Sequence, residues 1–252
     1  NLSDLAAKGA EPIGYLLSLS VAPWCGDEWL ERFAAGLAED QRLYGIDLLG
    51  GDTTSTPGPL TISITALGKI AAGKTIRRAG AKPGDCVFVS GTVGDAGAGL
   101  AVLKGQGDLL DEAQRTMLTA RYRVPEPRLS LGRRLIGLAS ASLDVSDGLM
   151  ADLGHISEAS HVRIAVEAEK VPLSPAGRVF WGKAVGQAAT AGDDYEIAFT
   201  APVSMRTAIA AAAREASVPV HEIGRVEAGE GVRLLDKDGN SIPLGHSGYT
   251  HF

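Results

Sequence analysis

The sequence predicts a mixed α/β fold, of the α/β or α+β type, divided into two compact units. Three observations lead there. Strand-length apolar runs alternate with segments of helical period along the whole chain, without an internal repeat. The chain has 252 residues, of which 45% are hydrophobic, enough to bury more than one core. The strongest break in its first half is AGAKPGD at 79–85, so an N-terminal unit over 1–82 and a C-terminal unit over 83–252 are expected.

The elements follow in order. Leu2 to Ala7 read as the end of a helix closing at Gly9 and Pro12, and the absence of an initiator Met suggests that earlier turns were truncated. Ile13 to Val21 is strand-like. Asp27 is expected to cap a helix whose Leu30, Phe33, Ala34 and Leu37 share one face and which ends near Gly45. A buried strand over Ile46 to Leu49 and an alternating strand over Thr61 to Ala66 complete the first unit.

The second unit opens with strand Cys86 to Ser90 and a glycine-rich entry to a short helix. Helices over Leu110 to Arg123 and Pro127 to Ala139 are separated by Pro125 and Pro127. Strand Ser142 to Val145 leads into a helix ending about Ala159, then come strands Arg163 to Ala168 and Tyr195 to Thr200. A helix over Met205 to Ala216, strands near 220–226 and 232–236, and a hairpin tip at Asp238-Gly239 close the chain.

A net charge of −6 with no Lys/Arg-rich run excludes a nucleic-acid backbone partner. No apolar run reaches the ~20 residues of a membrane span and no signal-peptide pattern is present, so a cytoplasmic protein is expected. Cys25 and Cys86 form no disulfide framework or C-x-x-C motif and read as thiols of a reducing compartment.

Three acidic segments share one grammar: LLGGDTT at 48–54, LDVSDGL at 143–149 and AGDDYEI at 191–197. Each sets carboxylates beside glycines, where backbone approaches phosphate and the acids hold hard cations, pointing to Mg-dependent nucleotide chemistry. Asp4 is a fourth candidate. The alternative for each is a plain turn, and for Ser146 or Asp147 a helix N-cap. Glycines 94, 97 and 99 suit phosphate approach or helix packing equally well. The five histidines show no metal-ligand spacing, so His155 is expected at the surface or in helix packing.

GKIAAGKT at 68–75 fits the Walker A expression. A phosphate loop needs a helix after Lys74 and Thr75, yet Gly80 and Pro83 stop one within a turn, so a strand-to-strand connection is expected.

Taken in order, NLSDLAAKGA, LLGGDTT, GKTIRRAGAKPGD, LDVSDGLMADLGHI, AGDDYEIAFT and terminal GYTHF resemble the thiamine-monophosphate kinase family. That family belongs to the superfamily of aminoimidazole-ribonucleotide synthetase and selenophosphate synthetase. The resemblance implies a two-domain aminoimidazole-ribonucleotide synthetase-like architecture with an incomplete N-terminal ATP- and metal-binding, dimerising domain. It also implies ATP-dependent phosphorylation of thiamine monophosphate to thiamine diphosphate, several Mg ions and a homodimer.

By motif matching, the resemblance makes Asp4, Asp52, Asp144 and Asp147 Mg ligands. It places Gly51, Arg78 and Ser146 against ATP, with Asp52 shared between ATP and metal, and Asp193 and Tyr249 against the thiamine moiety. No catalytic base is nominated, because the phosphate acceptor is already ionised and transfer is expected to be direct. Two departures stand out. Ala191 replaces the family's usual glycine, and the acid motifs that family members carry ahead of NLSDLAAKGA are not in this chain. Rival readings are therefore another synthetase of the superfamily or a nucleotide-binding fragment without turnover.

Overall fold

A computed structural model describes residues 1–245, 248 and 249; Thr250, His251 and Phe252 of the GYTHF motif lie outside the described residues. Helix α1 (Leu2–Ala7) precedes strand β1 (Glu11–Val21), helix α2 (Asp27–Tyr44) and strands β2 (Asp47–Ser55) and β3 (Thr61–Lys69). These strands form a three-stranded sheet of order β2-β1-β3, parallel between β1 and β2 and antiparallel between β1 and β3.

Several expectations for this region are corrected. Asp27 starts the first turn of α2 rather than capping it; Gly26 is the N-cap, while Gly45 closes the helix in the left-handed conformation as its position suggested. No residue of α2 is fully buried, and Ala34 is exposed, because the helix covers only one side of a narrow sheet. LLGGDTT is not a turn after a buried strand. It lies within β2, exposed along its whole length because β2 is an edge strand. Residues 70–85 contain no helix, so GKIAAGKT is no phosphate loop.

The second sheet is built from β4 (Cys86–Ser90), β5 (Ala141–Asp144), β6 (Arg163–Glu167), β7 (Ile197–Ala201), β8 (Val220–Glu227) and β9 (Gly231–Leu235). Its order is β5-β7-β4-β8-β6-β9, antiparallel except where β9 runs parallel to β6. The remaining helices are α3 (Asp95–Leu103), α4 (Glu112–Arg123), α5 (Leu129–Arg134), α6 (Leu149–Ser160), α7 (Pro175–Trp181), α8 (Val185–Thr190) and α9 (Arg206–Ala216). The expected helix over Pro127 to Ala139 shrinks to α5.

Strand alternation divides this sheet between two cores. Val87, Val89, Leu143 and Ala198 pack with Leu149, Leu153 and Ile156 of α6 on one face. Phe88, Ile197 and Phe199 pack with Leu131 of α5, the Leu135 that caps it and Ile209 of α9 on the other, joined by Ala6 of α1. A Cβ on Gly132 would lie 2.0 Å from the Ala6 carbonyl oxygen, so only glycine lets α1 seat this closely.

Helix α3 is tied to the distant third acidic segment. Asp194, fully buried, accepts hydrogen bonds from the Gly94 and Ala96 N–H groups at 2.6 and 3.1 Å at the helix entry. Gly97 and Gly99 serve packing: added Cβ atoms would meet the Ala191 side chain at 2.5 Å and the Leu118 carbonyl at 2.1 Å. Ala191 thus fills space left by Gly97.

Burial pushes the Asp194 carboxyl up to about 7, against the opposing pull of the Gly94 and Ala96 N–H groups. A raised carboxyl retains in the folded state a proton that the unfolded chain releases above its ordinary value of 3.8, so stability falls as pH rises through about 7. The stabilisation of wild type over D194N is therefore expected to shrink between about pH 4 and pH 7.5, by up to ~4 kcal/mol. Urea midpoints across that range measure it, and a pH-independent gap would refute the assignment.

Candidate active site

Two of the acidic segments are joined backbone to backbone. Beyond the β5–β7 pairing, Val145 N–H donates to the Glu196 carbonyl, Tyr195 N–H to the Val145 carbonyl and Asp193 N–H to the Ser146 carbonyl, each at 2.8 Å. Small residues permit the approach. Cβ atoms on Gly148 and Gly192 would lie 2.8 Å from the Thr190 carbonyl and 2.5 Å from the Ser146 carbonyl. The C-terminal segment joins them: Tyr249 N–H donates to the Asp147 carbonyl at 2.9 Å, and a Cβ on Gly248 would meet the same carbonyl at 2.3 Å.

On this framework Asp144, Asp147 and Asp193 all act on Tyr195, and Asp144 also feels Asp4 of α1. Burial and then the Asp4 carboxylate push Asp144 up, with the Ser3 side chain pulling the other way. Tyr195 is pushed up first by burial and then by Asp193, with Asp144 and Asp147 adding to the effect. Lys8 lies in the same field. Its Nζ donates to the Ser142 carbonyl at 3.3 Å, and burial and Arg78 lower it while Asp144 and Asp4 raise it. Arg78 is exposed on the loop beside this group.

Ser146 and Asp147 are not N-caps. Gly148 holds that position in α6, and no side chain caps it. Instead the buried Asp152 accepts from the Ser146 and Asp147 N–H groups at 2.9 and 3.0 Å. Burial pushes its carboxyl up to about 7, with the Asp147 N–H pulling it down. Ligand atoms of Asp147, Asp152 and His155 lie within 4.8 Å of one another, although the histidine spacing gave no hint of it. Asp152 and His155, three apart on a helix, were the available signal.

Asp52 and Gly51 lie on the exposed edge strand β2. Asp52 pairs in register with Ser18, two residues from Leu16 and two from Ser20, whose hydroxyl lies 3.3 Å from that of Thr54. That face is opposite the one carrying Tyr15, whose hydroxyl accepts from Gln41 of α2 at 2.9 Å. The register of β1 against β2 therefore turns Asp52 away from α2. Gly51 is required for the pairing, since a Cβ would lie 1.8 Å from the Leu17 carbonyl oxygen.

A cavity of about 690 Å³ opens on the α2 side, next to the acids. Tyr15, Tyr44, Tyr122 and Tyr195 supply aromatic walls, and Asp40 and Asp193 supply carboxylates. Asp193 and Tyr195 hold left-handed backbone at φ 68° and 51°, which side chains other than glycine adopt at a cost of about 1–3 kcal/mol. Tyr249 is exposed and is not among the residues lining the cavity.

Asp4, Asp144 and Asp147 carry oxygen donors of the kind a hard divalent cation takes, and burial first, then the Asp4 carboxylate, raises Asp144. Among the described residues the three ligands that come within 4.8 Å of one another are Asp147, Asp152 and His155, and neither Asp4 nor Asp144 is in that group. The Asp147–Asp152–His155 group fits Mg less well, because it includes a nitrogen ligand and one Asp152 oxygen already accepts two N–H groups.

Comparison with known proteins agrees with the motif order. Residues 1–70 match the family described as AIR synthase related protein, N-terminal domain, and residues 82–237 match its C-terminal domain. The chain is 45% identical over 257 aligned residues to the thiamine-monophosphate kinase of Caulobacter vibrioides, covering 100% of this chain and 72% of that protein. It resembles the crystal structure of thiamine-monophosphate kinase from Stenotrophomonas maltophilia K279a at TM-score 0.87 and 42% identity, over 96% of this chain and 77% of that one. A structure of AaThiL complexed with AMPPCP and TMP matches at TM-score 0.84 and 32% identity, over 100% of this chain and 77% of that one. With its domains, fold and full aligned length in agreement, the chain belongs to the thiamine-monophosphate kinase family.

Proposed function

We propose that this protein catalyses ATP-dependent phosphorylation of thiamine monophosphate to thiamine diphosphate. The observation that carries the reading is that Asp4 acts on Asp144, and Asp144 and Asp147 act on Tyr195, which lines a tyrosine-walled cavity in a chain of this family. Asp4, Asp144 and Asp147 would hold Mg ions, with Ser146 and Arg78 toward the ATP phosphates. Bound Mg neutralises the repulsion between two anionic substrates and supports an in-line transfer. The protein's own part is positioning: Asp193 meets the cationic thiamine moiety, the tyrosines offer it ring faces, and Tyr249 flanks the site from its tie to Asp147. An already ionised acceptor needs no general base, so none is assigned.

Asp52 and Gly51, assigned to ATP and its ion, sit on the other face of the three-stranded sheet. Their share in the site requires something to cover that face, and a homodimer paired through this sheet supplies it. Leu16, on the same face of β1 as Ser18, is exposed, and β2 and β3 are both edges. We also assign residues 1–82 and 83–252 as the two domains, with α1 reaching across to the second. No helix among the described residues is long and apolar enough to cross a membrane; cytoplasmic residence is part of the proposal.

Two measurements test it. Thiamine diphosphate formation from ATP, Mg and thiamine monophosphate is expected in the wild type, and D144N should lower kcat/KM by about 100-fold or more with its circular dichroism unchanged. Undiminished turnover in D144N would remove the metal assignment, and no product from the wild type would remove the kinase reading. Sedimentation equilibrium should give about twice the 26.1 kDa chain mass, and L16E should shift it toward the monomer.

A further inference from the structure

The third acidic segment alternates between two surroundings. Asp193 and Tyr195 line the cavity, whereas Asp194 and Glu196 are buried away from solvent. Left-handed backbone at both cavity-lining residues persists only where neighbours hold it: their N–H groups are bonded to the Ser146 and Val145 carbonyls, and the two buried acids anchor the residues between and after them. Asp194 is fastened to the entry of α3. Glu196 is fastened much more heavily.

Its Oε2 accepts from Ser90 Oγ at 2.6 Å and from Arg128 Nε at 2.8 Å. Its Oε1 accepts from Arg128 Nη2 at 2.6 Å and Arg121 Nη2 at 2.8 Å. Ser90 Oγ in turn accepts the Ile197 N–H at 2.8 Å, and a Cβ on Gly91 would lie 2.1 Å from Glu196 Oε1. The fold therefore reserves space for this carboxylate. The two arginines bracket the opposite wall of the cavity: Arg121 precedes Tyr122 and Arg123, and Arg128 follows Pro127, with Val124 and Pro125 lining between them. One carboxylate thus ties the Asp193–Tyr195 wall to the Tyr122–Pro127 wall.

We propose that Glu196 is a positioning residue for the acceptor substrate, setting through Arg121 and Arg128 the separation of the two cavity walls and the presentation of Asp193 and Tyr195. This rests on the reading of the cavity as the thiamine monophosphate site. Glu196 is fully buried, and its side-chain bonds are all to protein groups. Asp4, Asp144 and Asp147 are not among its partners, so a disturbed clamp acts on acceptor binding and leaves nucleotide binding largely alone.

The test compares wild type with E196Q, R121K and R128K by calorimetric titration with thiamine monophosphate and by separate KM values for both substrates. The lysine variants keep the charge but replace a forked donor by a single ammonium, which covers the case in which E196Q does not fold. Expected is a rise of about tenfold in Kd and KM for thiamine monophosphate, with KM for ATP held within about twofold. Equal rises for both substrates, or a lowered melting temperature with unchanged acceptor affinity in all folded variants, would overturn the proposal. A wild type that does not bind thiamine monophosphate would overturn the reading of the cavity and this inference with it.

Discussion

The backbone contact between residues 145–147 and 192–196 is the constraint from which the site follows. These segments leave neighbouring strands β5 and β7 and stay hydrogen-bonded beyond the regular ladder, which they manage because Gly148 and Gly192 remove the side chains that would keep them apart. Once joined, the aspartates of one segment and the Asp193–Tyr195 pair of the other open into one region. The C-terminal Gly248 and Tyr249 dock on the same loop by the same means.

Such an arrangement gathers like charges, and the structure offsets the repulsion in layers. Lys8 and Arg78 stand close to Asp4 and Asp144, and Asp152 spends one oxygen on two loop N–H groups instead of facing outward. Burial raises Asp144, Asp152 and Asp194 alike. Groups in that condition are held ready for a cation or a proton, which is why perturbed carboxyls mark functional regions as well as structural ones. Asp152 and Asp194 each accept two backbone N–H groups, while Asp144 feels the Asp4 carboxylate.

The cavity depends on elements from both parts of the chain. Tyr15 and Tyr44 come from the three-stranded sheet and α2, Tyr122 from the end of α4, and Tyr195 from the strained run before β7. Helix α1 links the parts, with Ala6 in the second core and Ser3 donating to the Tyr195 carbonyl at 3.3 Å. Glu196 supplies the corresponding link inside the second part, joining β4, β7 and the segment around α4.

Local chemistry alone determined the strand-and-helix alternation, the breaks at glycine and proline, the acidic segments and the family to which they point, because each depends on neighbours a few residues apart. Even the rejection of GKIAAGKT as a phosphate loop needed only Gly80 and Pro83. Tertiary structure decided what pairs across long separations. The register of β1 with β2 put Asp52 on the sheet face opposite α2, and the edge position of β2 exposed a strand that its apolar start marked as buried. Glu196, Arg121 and Arg128 were invisible in the sequence because they meet across separate helices and strands, and charged side chains reveal their roles only when burial forces them to find partners.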